Sequence, residues 1–66
     1  MQIILNGESR QVEEACSVSE LIACLEITGK RYAVEINQQI IPKSRHQQTL
    51  LAAQDCVEIV QAIGGG

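Results

Sequence analysis

A chain of 66 residues, 45% of them hydrophobic, with one proline and 20% charged residues, carries enough apolar material for one core but not two. A domain this short buries only about 60% of its unfolded surface. The net charge is −3, and Arg10, Lys30, Arg31, Lys43 and Arg45 form no long run; this excludes electrostatic capture of nucleic acid and suits a basic protein partner.

In chain order, Met1 to Leu5 is a short apolar run closed by Asn6-Gly7, the dipeptide that most favours a two-residue type I′ hairpin because both positions need positive φ. A second strand is expected from about Glu8 to Val12. The two-residue period puts Met1, Ile3 and Leu5 on one face and leaves Ile4 as the apolar residue on the other. Ser17-Val18-Ser19-Glu20 fits a capping box, and Val18, Leu21, Ile22 and Leu25 follow at the spacing of one buried helical stripe. Cys16 stands where a hydrophobic staple onto Leu21 would sit, and Gly29 is placed to end the helix in a left-handed cap with Lys30 and Arg31 beyond it.

Tyr32 to Ile36 reads as a third strand, Asn37-Gln38-Gln39 as its turn, and Ile40-Ile41 as a very short strand ended by Pro42. Lys43 to Gln48 is polar, and Thr49 to Ala53 is expected to be a loop or one helical turn held by Leu50 and Leu51. His46, beside Arg45 and Gln47, is expected on the solvated surface, since no Ser, Cys or carboxylate is spaced to partner it. Cys56 to Gln61 is a strand with Val57 and Ile59 on one face and Glu58 and Val60 on the other, running into Ala62-Ile63 and three glycines. The pattern is α+β, a mixed sheet over one helix.

Few residues invite chemistry. Tyr32 is the only aromatic, so the aliphatic residues fill the core and no base-stacking platform exists. Cys16, Cys24 and Cys56 form no Cys-x-x-Cys pair, which argues against a disulfide framework or a zinc site; they read as small, half-buried hydrophobes, the alternative being a redox or sulfur-relay role for one of them that nothing in the spacing supports. There is no His-Glu-x-x-His, no phosphate-cradling loop and no acid and base pair, so an independent enzyme is not expected. Met1 to Leu5 lacks the positive start of a signal peptide, and no apolar run approaches the roughly 20 residues of a membrane span. The cytosol is the expected compartment.

What remains is Gly64-Gly65-Gly66. Glycines combine wide backbone freedom with no Cβ, so residues 62–66 are expected to be a flexible tail able to thread a narrow channel. A terminal carboxylate, with an ordinary pKa of about 3.3–3.7, is ionised at neutral pH and can attack the α-phosphate of a nucleotide. An acyl-adenylate results, from which a sulfur donor displaces AMP to leave a thiocarboxylate.

Across its whole length the chain resembles the ThiS family, the small ubiquitin-like sulfur carriers of thiamin thiazole biosynthesis. The resemblance rests on Met1-Gln2-Ile3 with Asn6-Gly7, on Ile36-Asn37-Gln38-Gln39-Ile40-Ile41-Pro42, and on the ending Val57 to Gly66. It implies one ubiquitin-like β-grasp domain, a mixed sheet of four to five strands packed on one helix, monomeric when free. It implies that Gly66 is the site of adenylation and sulfur attachment, with Gly64 and Gly65 giving access. A ThiF-like, E1-like enzyme would use Mg-ATP, sulfur would come by a cysteine-desulfurase route, and a ThiG-like thiazole synthase would receive it. Because the first and last strands of that fold pair in parallel, Ile4 and Val60 would be neighbours in an apolar docking patch. The sequence departs from the family in Ala53-Gln54-Asp55, where such carriers usually have an Asp-Gly-Asp turn. The alternatives are a MoaD-like carrier serving molybdopterin synthesis, against which chain length and the segment from Asn37 to Pro42 argue, a ubiquitin-like protein modifier, or a plain interaction domain with an inert tail.

Overall fold

Asn6 and Gly7 both adopt positive φ, 49° and 84°. They close a two-residue turn between β1 (Gln2–Leu5) and β2 (Glu8–Gln11), with Leu5 opposite Glu8. The structure is a computed structural model and describes residues 1–27 and 31–61. In β1 the two-residue period holds: Ile3 is fully buried, with Met1 and Leu5 packed against the same core, while Ile4 faces the other way.

The helix α1 (Val18–Cys24) begins as its cap dictates. Ser17 Oγ accepts from the Glu20 N–H at 3.1 Å, and Glu20 Oε1 accepts from the Ser17 N–H at 2.9 Å. Val18, Leu21 and Ile22 are buried and Leu25 is half-buried against them; Cys16 is buried in the same cluster, which fits the staple. Each such side chain contributes roughly 1.5–3 kcal/mol when fully removed from water. The helix does not run to Gly29. It ends at Cys24, with Leu25 as the cap and Glu26 in the left-handed region at φ 55°. The Glu26 N–H donates to the Ala23 carbonyl at 3.1 Å and the Ile27 N–H to the Ile22 carbonyl at 3.4 Å, the paired bonds of a Schellman stop. Ile27 folds back onto the core, and that apolar contact sets the end where no glycine marks it. Gly29 and Lys30 lie outside the described residues.

Strand β3 (Tyr32–Ile36) turns into β4 (Gln39–Ile41) through two residues, Asn37 and Gln38, at φ 50° and 72°. Gln39 therefore belongs to the strand, opposite Ile36. Asn37 is held by its side chain, whose Nδ2 donates to Asp55 Oδ1 at 3.1 Å and whose Oδ1 accepts from the Cys56 N–H at 3.0 Å. After Pro42 a single 3-10 turn spans Lys43–Arg45, so the helical turn precedes the Thr49–Ala53 segment. Leu51 is buried, but Leu50 is 58% exposed.

His46 is buried rather than solvated. Only 4% of it is exposed, its Nε2 lies 3.0 Å from the Ile41 carbonyl, and its ring centroid is 5.9 Å from that of Tyr32. Its own carbonyl accepts from the Ser19 N–H at 3.1 Å. The 3-10 turn rotates this one residue of a polar stretch inward, and hydrogen bonding makes its burial tolerable.

Strand β5 (Cys56–Gln61) completes a five-stranded sheet in the order β2-β1-β5-β3-β4. It pairs parallel with β1 and antiparallel with β3. Among the described residues one α-helix contributes to the core beside this sheet, which is the ubiquitin-like β-grasp architecture. The turn entering β5 places Gln54 at φ 70°, with the Asp55 N–H donating to the Ala52 carbonyl at 3.1 Å. Gln54 thus occupies a position that favours glycine. Replacing it, Gln54→Gly, is expected to stabilise the domain by about 0.5–1 kcal/mol, read as a higher midpoint of denaturant unfolding.

Candidate functional site

The strand that leads to the glycines sits in the middle of the sheet. Val57 and Ile59 point into the core, while Glu58 and Val60 face out, Val60 with 60% of its surface exposed. Val60 stands opposite Ala33 and Glu58 opposite Glu35 on β3. Contact with β1 is brief: Ile4 is opposite Cys56 and Leu5 opposite Val57. The Ile4 N–H donates to the Asp55 carbonyl at 2.9 Å and the Asn6 N–H to the Val57 carbonyl at 2.8 Å. There β1 turns away into the hairpin.

One more link follows. Asn6 Oδ1 accepts from the Ile59 N–H at 2.9 Å, so a turn residue also anchors the last strand. Sequence reading found Asn6 only as a turn former, because a bond between residues so far apart leaves no local signal.

The register alters the expected docking patch. Ile4 and Val60 do share the outer face of the sheet, but Ile4 is level with Cys56, four residues before Val60. At about 3.3 Å per residue that is roughly 13 Å, with Glu58 between them. They are separate apolar points, Ile4 half-buried and Val60 exposed. Gly64, Gly65 and Gly66, on which the chemistry was placed, lie outside the described residues.

No disulfide joins the cysteines: Cys16 is buried, and Cys24 and Cys56 are exposed. Burial, reinforced by the charges of Glu20, Cys24 and Glu13, pushes the Cys16 thiol above its ordinary 9.0, so it stays protonated and unreactive. Native chain treated with a thiol reagent at neutral pH should label Cys24 and Cys56 quickly and Cys16 only on unfolding. Rapid labelling of all three would contradict this packing. A thiol whose folded pKa is raised contributes stability that is fully present below the unfolded value and is lost as pH rises through the folded one. Cys16→Ala should therefore flatten the alkaline limb of stability above about pH 9. Among the described residues no three His, Cys, Asp or Glu side chains gather as a metal-ligand set. No helix there is long and apolar enough to cross a membrane.

Comparison with known proteins agrees with this architecture. The sequence model described as "ThiS family" matches residues 3–66. The sulfur carrier protein ThiS of Escherichia coli (strain K12) is 33% identical over 66 residues, the whole of both chains. A thiazole synthase of Paramagnetospirillum magneticum is 38% identical over this entire chain, which spans only 20% of that protein's length. The crystal structure of a thiamine biosynthesis protein (ThiS) from Geobacter metallireducens superposes with a TM-score of 0.82 at 28% identity, covering both chains completely. With the β-grasp sheet, the central last strand and a match reaching Gly66, the chain belongs to the ThiS family, the sulfur carrier proteins of thiamine biosynthesis.

Proposed function

We propose that this carrier holds its sulfur on Gly66. The observation that carries the reading is the family match through Gly66, in a chain whose central strand β5 ends at Gln61, five residues before it in the sequence. The Gly66 carboxylate attacks the α-phosphate of Mg-ATP in a ThiF-like enzyme; a C–O–P linkage forms and pyrophosphate leaves. A persulfide from a cysteine-desulfurase route then displaces AMP to form an acyl disulfide, and a thiol reductant cleaves its S–S bond, carrying the donor's own sulfur away in a mixed disulfide and leaving the thiocarboxylate. A ThiG-like thiazole synthase accepts the sulfur, and the carboxylate is regenerated for another cycle in the cytoplasm. The chain is a co-substrate rather than a catalyst. A partnership with thiazole synthase is supported by the relative of that name, which contains a segment matching this whole chain.

Adenylation is tested by ATP–pyrophosphate exchange with a ThiF-like enzyme. Exchange should depend on this chain, and its absence with an enzyme active on another ThiS would sink the reading. On the outer face, Ile4 and Val60 are proposed as separate docking points for the partner enzymes. Ile4→Glu or Val60→Glu should leave folding intact and lower kcat/KM for adenylation by about tenfold, the equivalent of about 1.4 kcal/mol. Unchanged kinetics in both variants would remove both docking points from the account.

A further inference from the structure

The open side of β5 beyond β1 offers main-chain groups with nothing described opposite them. In the antiparallel ladder with β3, Glu58 and Val60 are the residues whose N–H and C=O face Glu35 and Ala33, in step with the Asn37 N–H donating to the Cys56 carbonyl. The odd residues face the other way. The Asp55 carbonyl accepts from Ile4, the Val57 carbonyl accepts from Asn6, and the Ile59 N–H is taken by Asn6 Oδ1. The series then stops, because β1 has already entered its hairpin. The Ile59 carbonyl and the Gln61 N–H are next in line, and among the described residues neither has a strand beside it.

We propose that this edge, Ile59 to Gln61, receives an extended main-chain segment of thiazole synthase, added as a short strand continuing the line of β1. The inference rests on the reading of the chain as a carrier whose last residues enter that enzyme. One residue laid parallel to β5 satisfies both groups: its N–H donates to the Ile59 carbonyl and its C=O accepts from the Gln61 N–H. That repeats what Ile4 does two steps earlier with Asp55 and Val57. Strand addition takes its affinity from such main-chain bonds, and an unpaired edge is a template for it. Asn6 sets the place, since its side chain caps the last N–H that β1 could have served and leaves the following pair open. The exposed Val60 lies between the two docking groups in sequence, on the outer face. The enzyme would thereby hold the strand immediately before the tail, fixing the direction in which residues 62–66 leave.

The test is amide hydrogen exchange of the isotope-labelled chain by NMR, alone and with equimolar thiazole synthase. The Glu58 and Val60 amides, paired with β3, should be slow in both states. The Gln61 amide should exchange freely alone and slow by about tenfold or more in the complex. Formation of a complex without slowing at Gln61 overturns the proposal, as does failure to bind at all. Protection of Gln61 in the isolated chain that rises with concentration also overturns it, by showing a second copy on the edge. Gln61→Pro removes the donor on the open side without touching the β3 ladder, a placement an edge position tolerates. It should weaken binding to the enzyme by about tenfold, and equal affinity in the folded variant contradicts the proposal. If that variant does not fold, the exchange measurement decides alone. Sulfur loading of the wild-type chain, read separately by mass, distinguishes the two failures: a loaded chain with an unprotected Gln61 loses this edge and keeps its function.

Discussion

Deleting Gly66 is expected to abolish sulfur loading, reducing thiocarboxylate formation to background while leaving the domain folded. The two halves of this expectation have different causes. Loading requires a carboxylate in the right place, and a shortened tail presents its new end one residue short of the adenylating centre. Misplacing a reacting group by even about 1 Å can cost on the order of a hundredfold. Folding, by contrast, draws on Ile3, Cys16, Val18, Leu21, Ile22, Val34, Leu51, Val57 and Ile59. None of these lies beyond β5, so unfolding should shift by no more than about 0.5 kcal/mol. Thiocarboxylate formation in the shortened chain at the wild-type rate would refute Gly66 as the attachment site.

The largest effect on stability is expected from Leu21→Ala. Leu21 is 1% exposed and sits on the buried stripe of the only α-helix among the described residues. Truncating such a leucine costs about 2–5 kcal/mol, partly in lost transfer energy and partly in the cavity left behind. A domain of this length has roughly 3–10 kcal/mol in total. The variant should melt at least about 10 °C lower and lose sulfur loading in proportion to its unfolded fraction. A shift of only a few degrees would mean that the helix packs less tightly than its burial indicates.

Local chemistry carried most of the fold. Asn6-Gly7 forces its turn through positive φ at two adjacent positions, and Ser17 with Glu20 satisfies two helix-end donors reciprocally. The alternation in β1 and β5 sorts Ile3, Val57 and Ile59 from Ile4, Glu58 and Val60. These signals lie within a few residues of one another, which makes them readable. What escaped was decided by tertiary contact. The helix stops at Cys24 because Glu26 turns left-handed and Ile27 packs back onto the core, overriding the preference that pointed to Gly29. His46 turns inward because Ile41 presents a carbonyl to it, and Gln54 takes a left-handed conformation in a turn bonded to β1, its N–H donating to the Gln2 carbonyl at 2.7 Å.

The site shows the same division. Orientation of Ile4 and Val60 to the outer face follows from the strand period, and both do point there. Their separation follows from the β1–β5 register, which joins residues more than fifty positions apart and has no local pattern to betray it. The second role of Asn6, holding the Ile59 N–H, was hidden for the same reason. The Gly66 assignment came from glycine chemistry together with family resemblance, and it names only half a site, since the enzymes supply the remainder.

Intact-mass spectrometry after incubation with Mg-ATP, a ThiF-like enzyme and a sulfur source tests the central claim most directly. The account predicts that the chain gains the mass difference of one oxygen replaced by sulfur, that fragmentation places it on Gly66, and that adding thiazole synthase with its other substrates removes it. An unchanged mass with enzymes that load another ThiS, or a covalent adduct to a second protein in its place, would contradict the account.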